Sequence, residues 1–163
     1  KWQLYHPFRD TAKFLTNYSS MRGVANIKPS DYDIITKSVK DVVVLDLFDT
    51  NSCSLAAEGI IPTELEFKKL NHYWKKTYSL LDFDLTGIRM ANRLRKKGIS
   101  PFLLTNGRIG SYNYGAKDIS DFIERYGYRR TNELVQYIKD EGLESLDSMD
   151  YWEFLKFNNI GTF

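Results

Sequence analysis

Gly87-Ile88-Arg89-Met90-Ala91-Asn92-Arg93-Leu94-Arg95-Lys96-Lys97-Gly98-Ile99-Ser100-Pro101 reads as a helix with a stop built into it. Leu85, Ile88, Ala91 and Leu94 recur every third position and share one face of a period of about 3.6 residues. Arg89, Arg93, Arg95, Lys96 and Lys97 gather towards the end, where cations suit the negative pole of the helix dipole. Gly98 supplies a left-handed residue after the last turn, and Pro101 prevents the helix from resuming.

The stop recurs. Gly59-Ile60-Ile61-Pro62 matches Gly98-Ile99-Ser100-Pro101. An apolar residue stands four positions before each stop glycine: Leu55, Leu94, Ile123 before Gly127, and Ile138 before Gly142. Eleven positions back, Gly87, Ala116 and Thr131 are small and Phe48 is the exception. The openings match too. Pro29-Ser30-Asp31-Tyr32-Asp33 and Pro62-Thr63-Glu64-Leu65-Glu66 each give a proline, a hydroxyl N-cap and first-turn acids, and Thr63 with Glu66 forms a capping box. Their separation is on the scale of the roughly 34 residues of a helix–turn–helix repeat.

The rest of the chain is read around that grammar. Lys1 to Phe8 is an aromatic arm that docks on the domain. Asp10 to Met21 reads as a short helix with Phe14, Leu15 and Tyr18 inward. The helix from Thr63 carries Leu70, Tyr73, Trp74, Thr77, Tyr78 and Leu81 on one stripe, and Asp82 to Asp84 breaks it. Phe102 to Gly110 is the least helical stretch. Lys117 to Tyr126, Thr131 to Glu141 and Ser148 to Phe157 read as helices.

Composition sets bounds. The 163 residues suit one domain, and 42% apolar with 15% aromatic content argues for a folded chain. A net charge of +2, from 23 basic and 21 acidic residues, is too balanced to imply nucleic-acid binding from bulk electrostatics. The single cysteine, Cys53, excludes an intramolecular disulfide and a multi-cysteine zinc site, and His6 and His72 are too few for a histidine-rich one. No apolar run approaches the roughly 20 residues of a membrane span. Starting at Lys1 without Met is what removal of a targeting peptide would leave.

The unit small-x6-apolar-x3-Gly-Ile-x-Pro in Gly87 to Pro101 resembles the second helix and exit turn of a pentatricopeptide (PPR) repeat. The resemblance extends over Thr63 to Pro101, less well over Ser30 to Pro62, and poorly after Phe102. It implies an all-α fold, a short stack of antiparallel helical hairpins with about three degenerate repeats. Residues 1–29 would be an arm and capping helix, 30–142 the repeats and 143–163 a capping helix, in one domain. It further implies a mitochondrial, matrix-side setting.

Few repeats and a balanced charge favour a non-catalytic accessory subunit of a large complex over an RNA-binding protein. The specific expectation is an extra PPR-like subunit on the F1 head of a mitochondrial ATP synthase. Trp2, Tyr5, Phe8, Trp152, Phe157 and Phe163 are then the candidate partner contacts, since aromatics dominate interface hot spots. In the RNA-binding alternative Arg93, Arg95 and Arg108 meet phosphates while Tyr112 and Tyr114 stack bases. No cofactor, metal or catalytic residue is expected.

A rival resemblance exists. Val42 to Thr50 is similar to the nucleophile strand of haloacid-dehalogenase-type phosphatases, and Arg93 to Gly107 to that family's helix, strand and Thr-Asn-Gly loop. It implies Asp46 as nucleophile, Thr105 on the phosphoryl group and Lys117 as the balancing lysine. Asp147-Ser148-Met149-Asp150 is the only late candidate for the paired acids that hold its metal, and Phe48 stands where the general acid usually does.

Overall fold

A computed structural model describes residues 3–5, 8, 14–16, 21–24, 28–57, 60–102, 104 and 116–140. Ser148 to Phe157, the Phe102–Gly110 loop beyond Leu104, Gly59 and Gly142 lie outside them.

The all-α expectation is wrong: the chain is an α/β layered protein. Among the described residues, seven strands, β1 (Gln3–Tyr5), β2 (Phe14–Thr16), β3 (Met21–Arg22), β4 (Ser30–Thr36), β5 (Ser52–Leu55), β6 (Trp74–Leu80) and β7 (Ser100–Phe102), alternate with helices in the later part. The helices are α1 (Val39–Asp46), α2 (Glu64–Tyr73), α3 (Leu85–Arg95) and α4 (Ile119–Asp140). β1 and β2 pair antiparallel, so Phe14 and Leu15 lie in a strand and not in the expected helix. The main sheet runs β3-β5-β4-β6-β7, parallel except for β3 at its edge.

The sheet is hidden in the sequence because both its faces are covered, which removes the period-two alternation of a half-exposed strand. Ile34, Tyr78, Leu80, Phe102 and Leu104 pack with α1 and α4 through Leu45, Phe48, Phe122 and Val135. Ile35, Cys53, Leu55 and Leu81 pack on the opposite face with α2 and α3 through Leu70, Ile88 and Leu94. Burying side chains such as these contributes about 1.5–3 kcal/mol each relative to exposure.

Three errors of reading follow from that burial. The Pro29-Ser30 opening starts a strand, β4, in which Asp33, Ile34, Ile35 and Thr36 are all buried. The stripe from Leu70 to Leu81 changes periodicity at Trp74, where α2 passes directly into β6, and Thr77 and Tyr78 then point to opposite faces. Val42 to Asp46, strand-like in composition, is helical. Its β-branched valines are held there by the packing of Val44 and Leu45 against the sheet.

Local signals fared better. Thr63 N–H donates to Glu66 Oε2 at 2.8 Å and Glu66 N–H to Thr63 Oγ1 at 3.3 Å, the reciprocal bonds of a capping box. Gly98 closes α3 at φ 85°. Gly127, at φ 75° and ψ 174°, is non-helical and divides α4 into two helical segments across a kink, as expected of a stop, and Thr131 Oγ1 donates back to Gly127 O at 2.9 Å.

Candidate active site

The two central strands, β4 and β6, are neighbours whose outgoing helices leave to opposite faces, α1 to one and α3 to the other. At such a switch point the strand ends diverge into a crevice, where open α/β sheets bind ligands. The chain places acids there from three connections. Asp41 lies in the first turn of α1, Asp82 follows β6, and Asp118 immediately precedes α4. All three are buried, and one carboxylate oxygen of each lies within 4.8 Å of the others.

Local geometry fixes each of them. Asp41 accepts from Ser38 Oγ and Ser120 Oγ, both at 2.6 Å, which ties α1 to α4. Asp84, extended at the N-cap of α3, accepts from Gly87 N–H at 2.8 Å and so starts that helix two residues beyond Asp82. A β-carbon on Gly87 would stand 2.0 Å from the Asp82 carbonyl oxygen, so only glycine lets the helix begin this close to the acid. Phe83 N–H donates to Lys117 O at 2.6 Å and joins the β6 exit to the α4 entrance. Asp118 Oδ1 accepts from Asp121 N–H at 2.7 Å as an N-cap.

Lysines surround the acids. Lys37 Nζ and Lys117 Nζ lie 2.8 and 3.0 Å from Asp82 Oδ2, Lys117 also lies 3.0 Å from Asp84 Oδ2, and Lys40 reaches Asp118 Oδ2 at 2.7 Å. Burial pushes the Asp41 carboxyl up, opposed by its two serine bonds. Burial also acts upward on Asp84, but the Gly87 N–H and the Lys117 ammonium outweigh it and hold the carboxyl below its usual range. Bonding to Asp118 raises Lys40, and bonding to Asp82 and Asp84 raises Lys117, so both stay charged at neutral pH. The Lys40 and Lys117 side chains are half exposed or more, at 60% and 52%, and so connect the buried acids to solvent.

An all-oxygen set of buried carboxylates suits a hard divalent cation such as Mg²⁺ or Mn²⁺. Asp41, Asp82 and Asp118 would hold it, in competition with the ammonium groups already on Asp82 and Asp118.

None of the expected site residues belongs to this cluster, apart from Lys117 of the phosphatase reading. Asp46 ends α1, exposed, and so cannot be a strand nucleophile. Arg93 and Arg95 occupy the last turn of α3, Phe8 stands 89% exposed, and Tyr5 ends β1. Trp2, Thr105, Arg108, Tyr112, Tyr114, Asp147, Asp150, Trp152, Phe157 and Phe163 lie outside the described residues. The one local signal for the real cluster is Asp82-Phe83-Asp84 after the apolar run Tyr78 to Leu81, with Gly87 three residues on.

No protein-family model and no curated protein matches the sequence. Solved structures do match. The zinc-binding and RNA polymerase domains of the Aquifex aeolicus primase align at TM-score 0.55 and 17% identity, over 81% of this chain and 35% of that one. The primase fragment of the bacteriophage T7 primase-helicase aligns at 0.48 and 14%, over 76% of this chain and 51% of that one. A DnaG primase catalytic domain bound to ssDNA aligns at 0.47 and 13%, over 78% and 45%. The chain thus spans well under two thirds of the primase structures it resembles. The PPR reading falls with the helical repeat. With it fall the ATP-synthase subunit and the PPR mode of RNA binding, which had no other support. The non-catalytic expectation rested on the same helical repeat and falls with it, because the fold is α/β and not a repeat stack. What the likeness establishes is an α/β fold shared with the primase of Aquifex aeolicus.

Proposed function

We propose that this chain is a divalent-cation-dependent catalytic domain acting on phosphate groups of nucleic acid or its nucleotide precursors. One observation carries the proposal: three buried carboxylates, delivered by three separate connections, meet at the switch point of the sheet. At 4.8 Å and an effective dielectric of about 20, each pair of charges would repel by roughly 3–4 kcal/mol. Lys37, Lys40 and Lys117 offset part of that repulsion, but capping a helix explains Asp118 alone and does not account for the meeting of all three acids. Electrostatic tension of that kind is characteristic of functional sites. The primase domains supply the substrate class, by analogy of fold.

A divalent cation held there would polarise a phosphoryl oxygen and help orient the group for in-line displacement. The chain's own residues would do the rest. Ser38 and Ser120 keep Asp41 oriented, and the Gly87 N–H keeps the Asp82–Asp84 loop in place. Lys40 and Lys117, charged and half exposed or more, would swing from their acids to a phosphate oxygen.

A second reading is favoured by the three lysines: an ion-pair network that fastens the helix starts and needs no metal. Titrating Mn²⁺ into the protein, with bound metal and melting temperature as readouts, decides between them. Stoichiometric binding lost in Asp41→Asn and Asp82→Asn supports catalysis. A folded wild type that takes up no Mn²⁺ at millimolar concentration leaves the structural network.

A further inference from the structure

We propose that a cavity on the other flank of α1, against the β3–β5 edge of the sheet, binds an organic phosphate monoester. It has a volume of about 260 Å³, enough for a phosphate and part of a sugar, and shares no residue with the carboxylate cluster. Its floor is chemically odd. Ile34, Tyr78, Leu80 and Phe102 cover that face of the sheet elsewhere, but β5 presents Ser52 and Ser54. Ser54 is 0% exposed, and neither serine hydroxyl has a hydrogen-bond partner among the described residues. A buried hydroxyl without a partner is destabilising, and a staggered rotation about its side-chain bond would turn it to a ligand oxygen.

The walls state which oxygen. Arg22 and Lys28 bring two cations and Asp46 one acid, a balance that favours an anion. Arg22 is anchored by donating from Nη2 to Ala56 O at 2.7 Å, which fixes its guanidinium beside the serines. Guanidinium and hydroxyl donors are the usual means of holding a phosphate. Val39 and Val43 of α1 flank the cavity and are 45% and 58% exposed, so an organic group attached to the phosphate gains apolar cover there. Asp46, at the rim, accepts from a hydroxyl of that group. Inorganic phosphate would use the donors and leave the valines bare.

The test uses AMP, inorganic phosphate and ApA, a dinucleotide with only an internal phosphodiester, on the full chain in EDTA. AMP is expected to raise the melting temperature and to bind more tightly than phosphate or ApA. Ser54→Ala should melt no lower than wild type without ligand, because it removes an unpartnered hydroxyl, yet bind AMP roughly three- to tenfold more weakly. Lys28→Met should weaken AMP as well. Arg22→Met should weaken it more, and if loss of the Ala56 anchor unfolds that variant, the other two still decide. Asp82→Asn should bind AMP as wild type does, which separates this site from the carboxylate cluster. Absence of AMP binding, binding unchanged by Ser54→Ala, or equal binding of ApA would each overturn the proposal.

Discussion

The Lys37 ammonium lies 2.8 Å from Asp82 Oδ2 and joins the exits of β4 and β6 across 45 residues of sequence. The same oxygen receives Lys117 at 3.0 Å. The side chain of Asp82 is 6% exposed and that of Lys37 27%, so the pair is shielded but not sealed. Replacing Lys37 by Met should therefore cost about 1–2 kcal/mol, less than a fully buried pair because Lys117 remains. It should also tighten Mn²⁺ binding roughly tenfold, since one competing cation has gone. Urea unfolding without metal and Mn²⁺ titration give the two numbers, and weaker Mn²⁺ binding would contradict the role assigned to Asp82.

Gly87 is the narrowest point of the site. Gly87→Ala sets a methyl group against the Asp82 carbonyl at a distance no side chain tolerates. The Asp82–Asp84 loop must shift, at an expected cost above about 2 kcal/mol and with loss of Mn²⁺ binding. Ala91→Gly, on the same helix, should destabilise modestly and leave Mn²⁺ binding intact.

Asp33 makes a prediction about pH. It is 0% exposed on β4, and burial pushes its carboxyl from 3.8 to about 8, against a smaller opposing bond from Thr77. Between those values the folded chain holds a proton that the unfolded chain has released. Stability from this group is therefore greatest below about pH 4, falls as pH rises towards 8, and is level above it. Asp33→Asn should flatten that slope and gain most over wild type at pH 9, read from urea midpoints at pH 5, 7 and 9. An unchanged slope would place the proton elsewhere.

The capping box is the simplest case. Thr63→Ala removes the hydroxyl that accepts from Glu66 N–H, and should cost about 1 kcal/mol by urea unfolding. Neither metal nor AMP binding should change, since α2 packs on the face of the sheet away from the AMP cavity.

Features governed by neighbours in sequence were legible: Thr63 with Glu66, the Gly98 stop, and the helical segments on either side of Gly127. Features governed by distant neighbours were not. Trp74 to Leu80 follows a helix without a breaker, and its residues also fit a helical stripe. Only the pairing with β4, together with the burial of Tyr78 and Leu80 against Ile34, makes them a strand. Ser30 looked like an N-cap because hydroxyl–acid patterns also open strands, and there the run Ile34-Ile35-Thr36 decides. Asp41 and Asp118 carry only the local marks of helix starts, with Ser38 and Asp121 as partners, and are brought together only when α1 and α4 dock. Gly87 stands out in the sequence as the small residue of a repeat, whereas its structural reason is a close approach to the Asp82 backbone.

The pairing of Ser30 with Trp74 and of Thr36 with Leu80 also governs how fast this protein acquires its shape. A stack of helical hairpins grows from contacts between near neighbours and forms within microseconds to milliseconds. Here the central parallel pair must close a long loop, through β5 and α2, before any of its hydrogen bonds is gained. Folding is thereby expected to be slower than that of such a stack. The ion pair between Lys37 and Asp82 cannot form before that closure, so the carboxylate cluster is a late product of folding.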